Sequence, residues 1–197
     1  MSTADRSGRA AEPEEEPEPM DAEIEALRRE VRWLRDHEEI RRLLYRYARG
    51  VDRADLDLIR SVYAPGGTDR HGPFDGPGEE FAQVVVSGAE KVWDHVGNHH
   101  ITNTVIELDG DRARAEVYFL AFHPHADNGP PEMGIISGRY LDHLERRDGR
   151  WGIVRRVVVS DWTRGDLPGA EWERTSERGG YVGGRRGSGD ASYEFFG

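Results

Sequence analysis

The chain has 197 residues, of which 36% are hydrophobic and 33% charged, with a net charge of −11 and no cysteine. That length suits one domain with polar tails, and the missing cysteine excludes a disulfide frame, a cysteine-type zinc site and a thiol nucleophile. The acidic balance argues against a nucleic-acid partner. With neither a signal-peptide h-region nor an apolar run of about 18 residues, a cytoplasmic protein that stays off membranes is predicted.

Residues 1–20 are rich in Glu and Pro and read as a disordered, solvated acidic tail. From Asp21 the pattern is helical. Ile24, Leu27, Val31 and Leu34 recur every three or four residues, and after Asp36-His37 the stripe resumes as Ile40, Leu43, Leu44, Tyr47 and Val51. One long helix or two joined near Asp36 would both fit. The exposed charge pairs of the first half suit a helix that docks on a partner subunit. A short second helix is expected over 55–63, stopped by Pro65-Gly66-Gly67. Residues 68–77 read as a strand edge or loop. A third helix comes next over 78–96, with Phe81, Val84, Val85, Ala89, Val92 and Trp93 as its apolar stripe.

From His99 the period changes to two, and Asp109-Gly110 marks a hairpin turn. The partner strand covers 112–122, a Pro-rich loop 123–132, and a second hairpin turns at Arg147-Asp148-Gly149. Three helices succeeded by antiparallel strands predict an α+β fold. In it the three N-terminal helices pack on a strongly curved, mostly antiparallel sheet that encloses a cavity. The domain is expected over 21–165, with a Gly/Arg-rich extension over 166–197.

Two segments carry residues suited to chemistry. Asp52 stands at the end of the first helical run, where the helix dipole disfavours a carboxylate that lacks a partner. It reads as a surface acid beside Arg49 and Arg53 or as a working group. His99 opens the first long strand, and strict alternation puts Ile101, Asn103 and Val105 on its face and His100 on the other. An imidazole held by a carboxylate is a good general base near neutral pH; alone, it is as readily a hydrogen-bonded core residue. Tyr45 lies on nearly the same helical face as Asp52, while Tyr47, about 140° away, continues the apolar stripe. His71, His123 and His125 are candidates for a cavity rim. A metal site built from His123 and His125 with His99 and Asp52 has no recognised spacing behind it. No nucleotide or serine-hydrolase motif is present, and neither a metal nor a cofactor is predicted.

Several stretches together are similar to the SnoaL-like branch of the nuclear transport factor 2-like superfamily. They are Tyr-Ala-Arg-Gly-Val-Asp-Arg at 47–53, His-His-Ile-Thr-Asn at 99–103, Leu-Asp-Gly-Asp-Arg-Ala at 108–113, and Gly-Arg-Tyr-Leu-Asp with Arg-Asp-Gly-Arg-Trp across 138–151. The likeness spans about 37–165. It implies a cone-shaped α+β fold, usually a homodimer or homotrimer, and in dehydratase-like and dehydrochlorinase members an Asp–His dyad. That dyad falls on Asp52 and His99, with Tyr47 as the third catalytic candidate. A basic residue of the last strand in the dehydrochlorinase members falls near Arg156, and the likeness of Asp69-Arg70-His71-Gly72-Pro73-Phe74 to uncharacterised bacterial relatives implies that His71 lines the same pocket. Trp93, Asn103, Phe119 and His123 complete the expected substrate-binding set. The implied function is that of a lyase or isomerase acting on a small, fairly apolar cyclic compound. A non-catalytic ligand-binding or structural role, and a polyketide cyclase or epoxide hydrolase-like activity, are the alternatives. For self-association, an apolar patch on the convex sheet face at Tyr118, Tyr140 and Val157 is expected.

Overall fold

The structure, a computed structural model, describes residues 19–91, 97–125, 132–168 and 187–189. The chain falls into two compact units, Met1–Arg35 and Asp36–Gly197. Residues 1–18 of the tail expected over 1–20, most of the C-terminal extension and Trp93 lie outside the described residues, while Pro19 and Met20 open the first helix. Helix α1 (Pro19–Arg53) is continuous, so Asp36-His37 is no break. After it come α2 (Leu56–Arg60), β1 (Tyr63–His71), β2 (Phe74–Pro77) and α3 (Gly78–Lys91). Four long strands complete the fold: β3 (Asn98–Asp109), β4 (Arg112–His125), β5 (Glu132–Arg147) and β6 (Arg150–Pro168). No described helix is long and apolar enough to cross a membrane.

The second unit is α+β. Its six-stranded sheet has the order β2-β1-β6-β5-β4-β3, antiparallel throughout except where β1 runs parallel to β6. The stretch 68–77, read as a strand edge or loop, is strand: it holds the end of β1 and all of β2. Pro65-Gly66-Gly67 belongs to β1 and lies inside its register shift against β6. Gly67 is required there, because a Cβ would come 2.3 Å from the Ile153 carbonyl oxygen. The β5–β6 turn places Asp148 and Gly149 at φ 51° and 75°, the left-handed pair of a tight hairpin. The β3–β4 turn is Gly110-Asp111, one residue later than expected, since Asp109 still pairs with Arg112.

Helices and sheet meet in one core. Ile40, Leu43, Leu44 and Tyr47 of α1 join Ile59, Phe81, Val117, Phe119, Tyr140, Leu144 and Ile153 there. Asp36 is anchored at its edge, accepting from Trp151 Nε1 at 3.1 Å and from Arg146. Asp55 caps α2 by accepting from the Leu58 amide at 2.9 Å, a contact typically worth about 1 kcal/mol. At Gly138 the Phe119 ring comes close to the backbone: a Cβ would stand 2.9 Å from its Cζ and 2.1 Å from the Val159 carbonyl oxygen. Gly138→Ala should therefore destabilise the fold by about 1–3 kcal/mol, as overpacking does, read as a lowered thermal midpoint.

The face of the sheet away from the helices differs from expectation. Tyr140 is 1% exposed and belongs to the core, not to an outer patch. Tyr118 is on the outer face, but the Arg139 guanidinium covers its ring at 5.8 Å. Arg139 is itself bound to Asp161 and Glu116. Ion pairs thus interrupt the apolar surface there.

Candidate active site

The end of α1 and the start of β3 meet through Asp52 and His99. The Asp52 carboxylate accepts from the His99 backbone N–H with both oxygens, at 3.0 and 3.1 Å. Its Oδ1 also lies 2.7 Å from His99 Nδ1. The carboxylate is thus partnered at a helix end where it would otherwise be disfavoured. Main chain and ring of a single residue hold it. The side chains are only 6% (His99) and 13% (Asp52) accessible. With Nδ1–H donating to Asp52, the neutral ring keeps its lone pair on Nε2. His123 stands edge-on to this imidazole, ring centroids 4.9 Å apart.

Strict alternation fails two residues further on. The pairing of β3 with β4 shifts between Ile101 and Thr104, a bulge that inserts one residue and reverses the parity of the strand beyond it. His99 pairs with Ala121 and Ile101 with Phe119, on the core side; past the bulge it is Thr104, Ile106 and Leu108 that oppose Val117, Ala115 and Ala113. Asn103 is exposed at the bulge and Val105 is 56% exposed. Asn103 therefore does not share a face with His99, contrary to expectation. His100 is exposed on the opposite face.

Strands β1, β6 and β5 carry a buried polar group that sequence reading only partly anticipates. Asp69, Arg156 and Asp142 are register neighbours across β1, β6 and β5. They are 0%, 0% and 2% exposed. Arg156 donates from Nε and Nη2 to the two Asp142 oxygens, both at 2.7 Å. Its guanidinium carbon lies 4.1 Å from the centroid of the Tyr47 ring and 4.2 Å from that of Tyr140. Burial opposes the Arg156 charge, but Asp142 more than offsets that, and its pKa stays well above the ordinary arginine value. Burial also pushes the Asp142 carboxyl up and raises the Tyr47 phenol, so Tyr47 is a neutral hydrogen-bonding group. Arg156 Nη1 has no hydrogen-bond partner among the described residues.

Tyr63 O–H donates to Asp69 Oδ2 at 2.5 Å. Asp69 Oδ1 faces His71 Nδ1 at 3.7 Å, and His71 stacks on Phe81 with centroids 4.5 Å apart. His71 is thus beside Asp69 and Phe81. Phe119 is 5% exposed and stacks on Tyr140 at 4.4 Å. Tyr47 is 1% exposed and Tyr45 52%, so the phenol turned into the interior is Tyr47.

Asp142 is absent from the sequence-based site although its signal is legible, because alternation from Tyr140 through Leu144 puts it on the inner face. Asp69 carries no such signal, since Gly and Pro surround it. Among the described residues no group of three or more His, Asp or Glu side chains is arranged to hold a metal.

Known structures share this architecture. A protein from Novosphingobium aromaticivorans DSM 12444 assigned as a scytalone dehydratase matches 68% of this chain and 93% of its own, at 22% identity and a TM-score of 0.58. A type 2 hexachlorocyclohexane dehydrochlorinase, LinA, matches 72% and 97%, at 19% identity and a TM-score of 0.64. The LinA type 3 enzyme of Novosphingobium barchaimii LL02 matches 72% and 98%, at 19% identity and a TM-score of 0.60. At such identities the likeness is one of fold. No curated protein sequence matches the chain. Residues 32–157, more than half of the sequence, match the profile of the SnoaL-like domain, and the chain belongs to that family.

Proposed function

We propose that the protein is a small-molecule lyase of the dehydratase type, with His99 as general base and Asp52 as its orienting partner. The observation that carries this reading is the 2.7 Å contact from His99 Nδ1 to an Asp52 carboxylate already fixed by the His99 amide. A base must be held in one tautomer and its cationic form stabilised, and a clamped carboxylate does both. Nε2 then takes a proton from a carbon next to a carbonyl. The electron pair of that C–H bond becomes the new C=C bond, and the leaving group departs from the β-carbon with its own electron pair. Tyr47 and Arg156 are assigned the carbonyl oxygen, where negative charge gathers; the guanidinium carbon 4.1 Å from the Tyr47 ring centroid and the Nη1 with no partner among the described residues support that role. The dehydratase and dehydrochlorinase descriptions of the structural neighbours are compatible with this chemistry.

The substrate class suited to this chemistry is a compact cyclic ketone with a hydroxyl or halide β to the carbonyl. Incubation with 3-hydroxycyclohexanone and 3-chlorocyclohexanone should produce cyclohexenone, detected by its enone absorbance, and His99→Gln should suppress it. If the wild-type protein shows neither enone formation nor deuterium exchange at the α-carbon with either ketone, the proposal fails.

A further inference from the structure

The first unit carries a surface that the proposed chemistry does not use. On α1, Met20, Ile24, Leu27, Val31 and Leu34 succeed one another at intervals of four, three, four and three residues. That is the spacing of a coiled-coil seam, with Ile24 and Val31 at the a positions and Met20, Leu27 and Leu34 at d. All five are exposed, from 38% at Ile24 to 65% at Met20. The seam stops where the next a position is Glu38, an exposed charge. From Ile40 onward the apolar stripe of the helix is buried in the second unit's core.

We propose that this seam pairs two copies of the chain as a parallel, in-register, two-stranded coiled coil over 20–34. Three observations select that occupant. β-Branched residues at a with leucine at d favour two parallel strands over higher oligomers. The flanking g positions are Glu23 and Glu30, and e positions Arg28 and Arg35. In a parallel pair each g residue meets the e residue five places further along the other helix. Glu23 then meets Arg28 and Glu30 meets Arg35, and symmetry doubles both pairs. In an antiparallel pair g faces g and e faces e, so Glu would meet Glu and Arg would meet Arg. The third observation is that α1 continues without a break to Arg53. A free peptide of two heptads would be marginal in water because helix nucleation is costly; here the helix is already nucleated by its buried half. The Glu25–Arg28 pair within the helix is exposed on both sides and is worth little to the isolated chain, so Arg28 can turn to the other helix at small cost.

Sedimentation of the full chain should give twice the 22.3 kDa chain mass. Leu27→Asp combined with Val31→Asp should give a monomer at concentrations where the wild type is fully paired. The thermal midpoint and near-ultraviolet spectrum of the second unit should not change. Glu23→Arg with Glu30→Arg should be monomeric, as should Arg28→Glu with Arg35→Glu, and mixing the two variants should restore a dimer. Because the chain has no cysteine, Met20→Cys reports orientation cleanly. A d-position cysteine meets its counterpart only in a parallel, in-register pair, and a disulfide requires Cα atoms within about 7 Å. A monomeric wild type, a trimer, a dimer indifferent to the Asp substitutions, or Met20→Cys that fails to cross-link would each overturn the proposal.

Discussion

His99→Gln is expected to lower kcat about 10²–10⁴-fold, the usual contribution of a general base, while leaving the unfolding midpoint near that of the wild type. The glutamine retains the backbone N–H that holds Asp52 with both oxygens, so the junction of helix and strand survives while the proton acceptor is lost. Asp52→Asn should cost nearly as much. It removes the charge that stabilises the imidazolium and frees the ring to adopt the other tautomer. The double variant should be barely worse than either single one, because the pair acts as a unit. His100→Gln, on the exposed opposite face, is the control and should be close to silent. Turnover of 3-chlorocyclohexanone measures all four, and a rate for His99→Gln equal to wild type would remove His99 from the chemistry.

The largest effect on stability is expected at Asp142. Asp142→Ala strips Arg156 of both charge-assisted hydrogen bonds and leaves its fully buried guanidinium against the faces of Tyr47 and Tyr140 without its bidentate carboxylate. Breaking a buried pair in this way costs about 3–5 kcal/mol. Asp142→Leu with Arg156→Met should recover much of that loss, since apolar side chains of similar size replace a buried ion pair at little net cost. Denaturant unfolding of the wild type, Asp142→Ala and the double variant decides it. If the double variant is as unstable as Asp142→Ala, the pair does not act as a coupled unit. Enone formation should fail in the double variant even where stability returns, if Arg156 Nη1 holds the substrate oxygen as proposed.

Much of this architecture is legible in the sequence, and the failures have physical causes. The helical stripe and the period-two strands locate α1, α3 and the four long strands, because amphipathic patterning reports burial directly. β1 is legible only as a strand edge or loop over 68–71, because a strand rich in Gly and Pro, built around a register shift, has neither alternation nor β-branched enrichment. The placement of Tyr47 in the interior agrees with the apolar stripe rather than with the angular position of Asp52. At the last turn of a helix a side chain answers to whatever strand abuts the terminus, here the amide and ring of His99, and not to the stripe. The face of Asn103 comes out wrong for a different reason. Alternation counts residues, whereas a bulge adds one that pairs with nothing, and no residue in Ile-Thr-Asn-Thr announces it. The buried row of Asp69, Arg156 and Asp142 depends on three strands far apart in the chain; only the inward parity of Asp142 can be read locally.

The irregularity in β3 also bears on how this chain tolerates change. A bulge absorbs a change of phase, so the two halves of the strand are independent of each other in reading frame. Loss or gain of one residue between Asn98 and the bulge would exchange His99 for a neighbour at the position facing Asp52. The half that pairs Val105 through Asp109 with β4 would keep its packing. Such a lesion would give a protein that folds, melts normally and is inert. Length variation on the far side of the bulge would do the reverse, disturbing the core while sparing the histidine. Under the proposed function, the constraint from chemistry on β3 falls on its first four residues, and the constraint from packing on its last five.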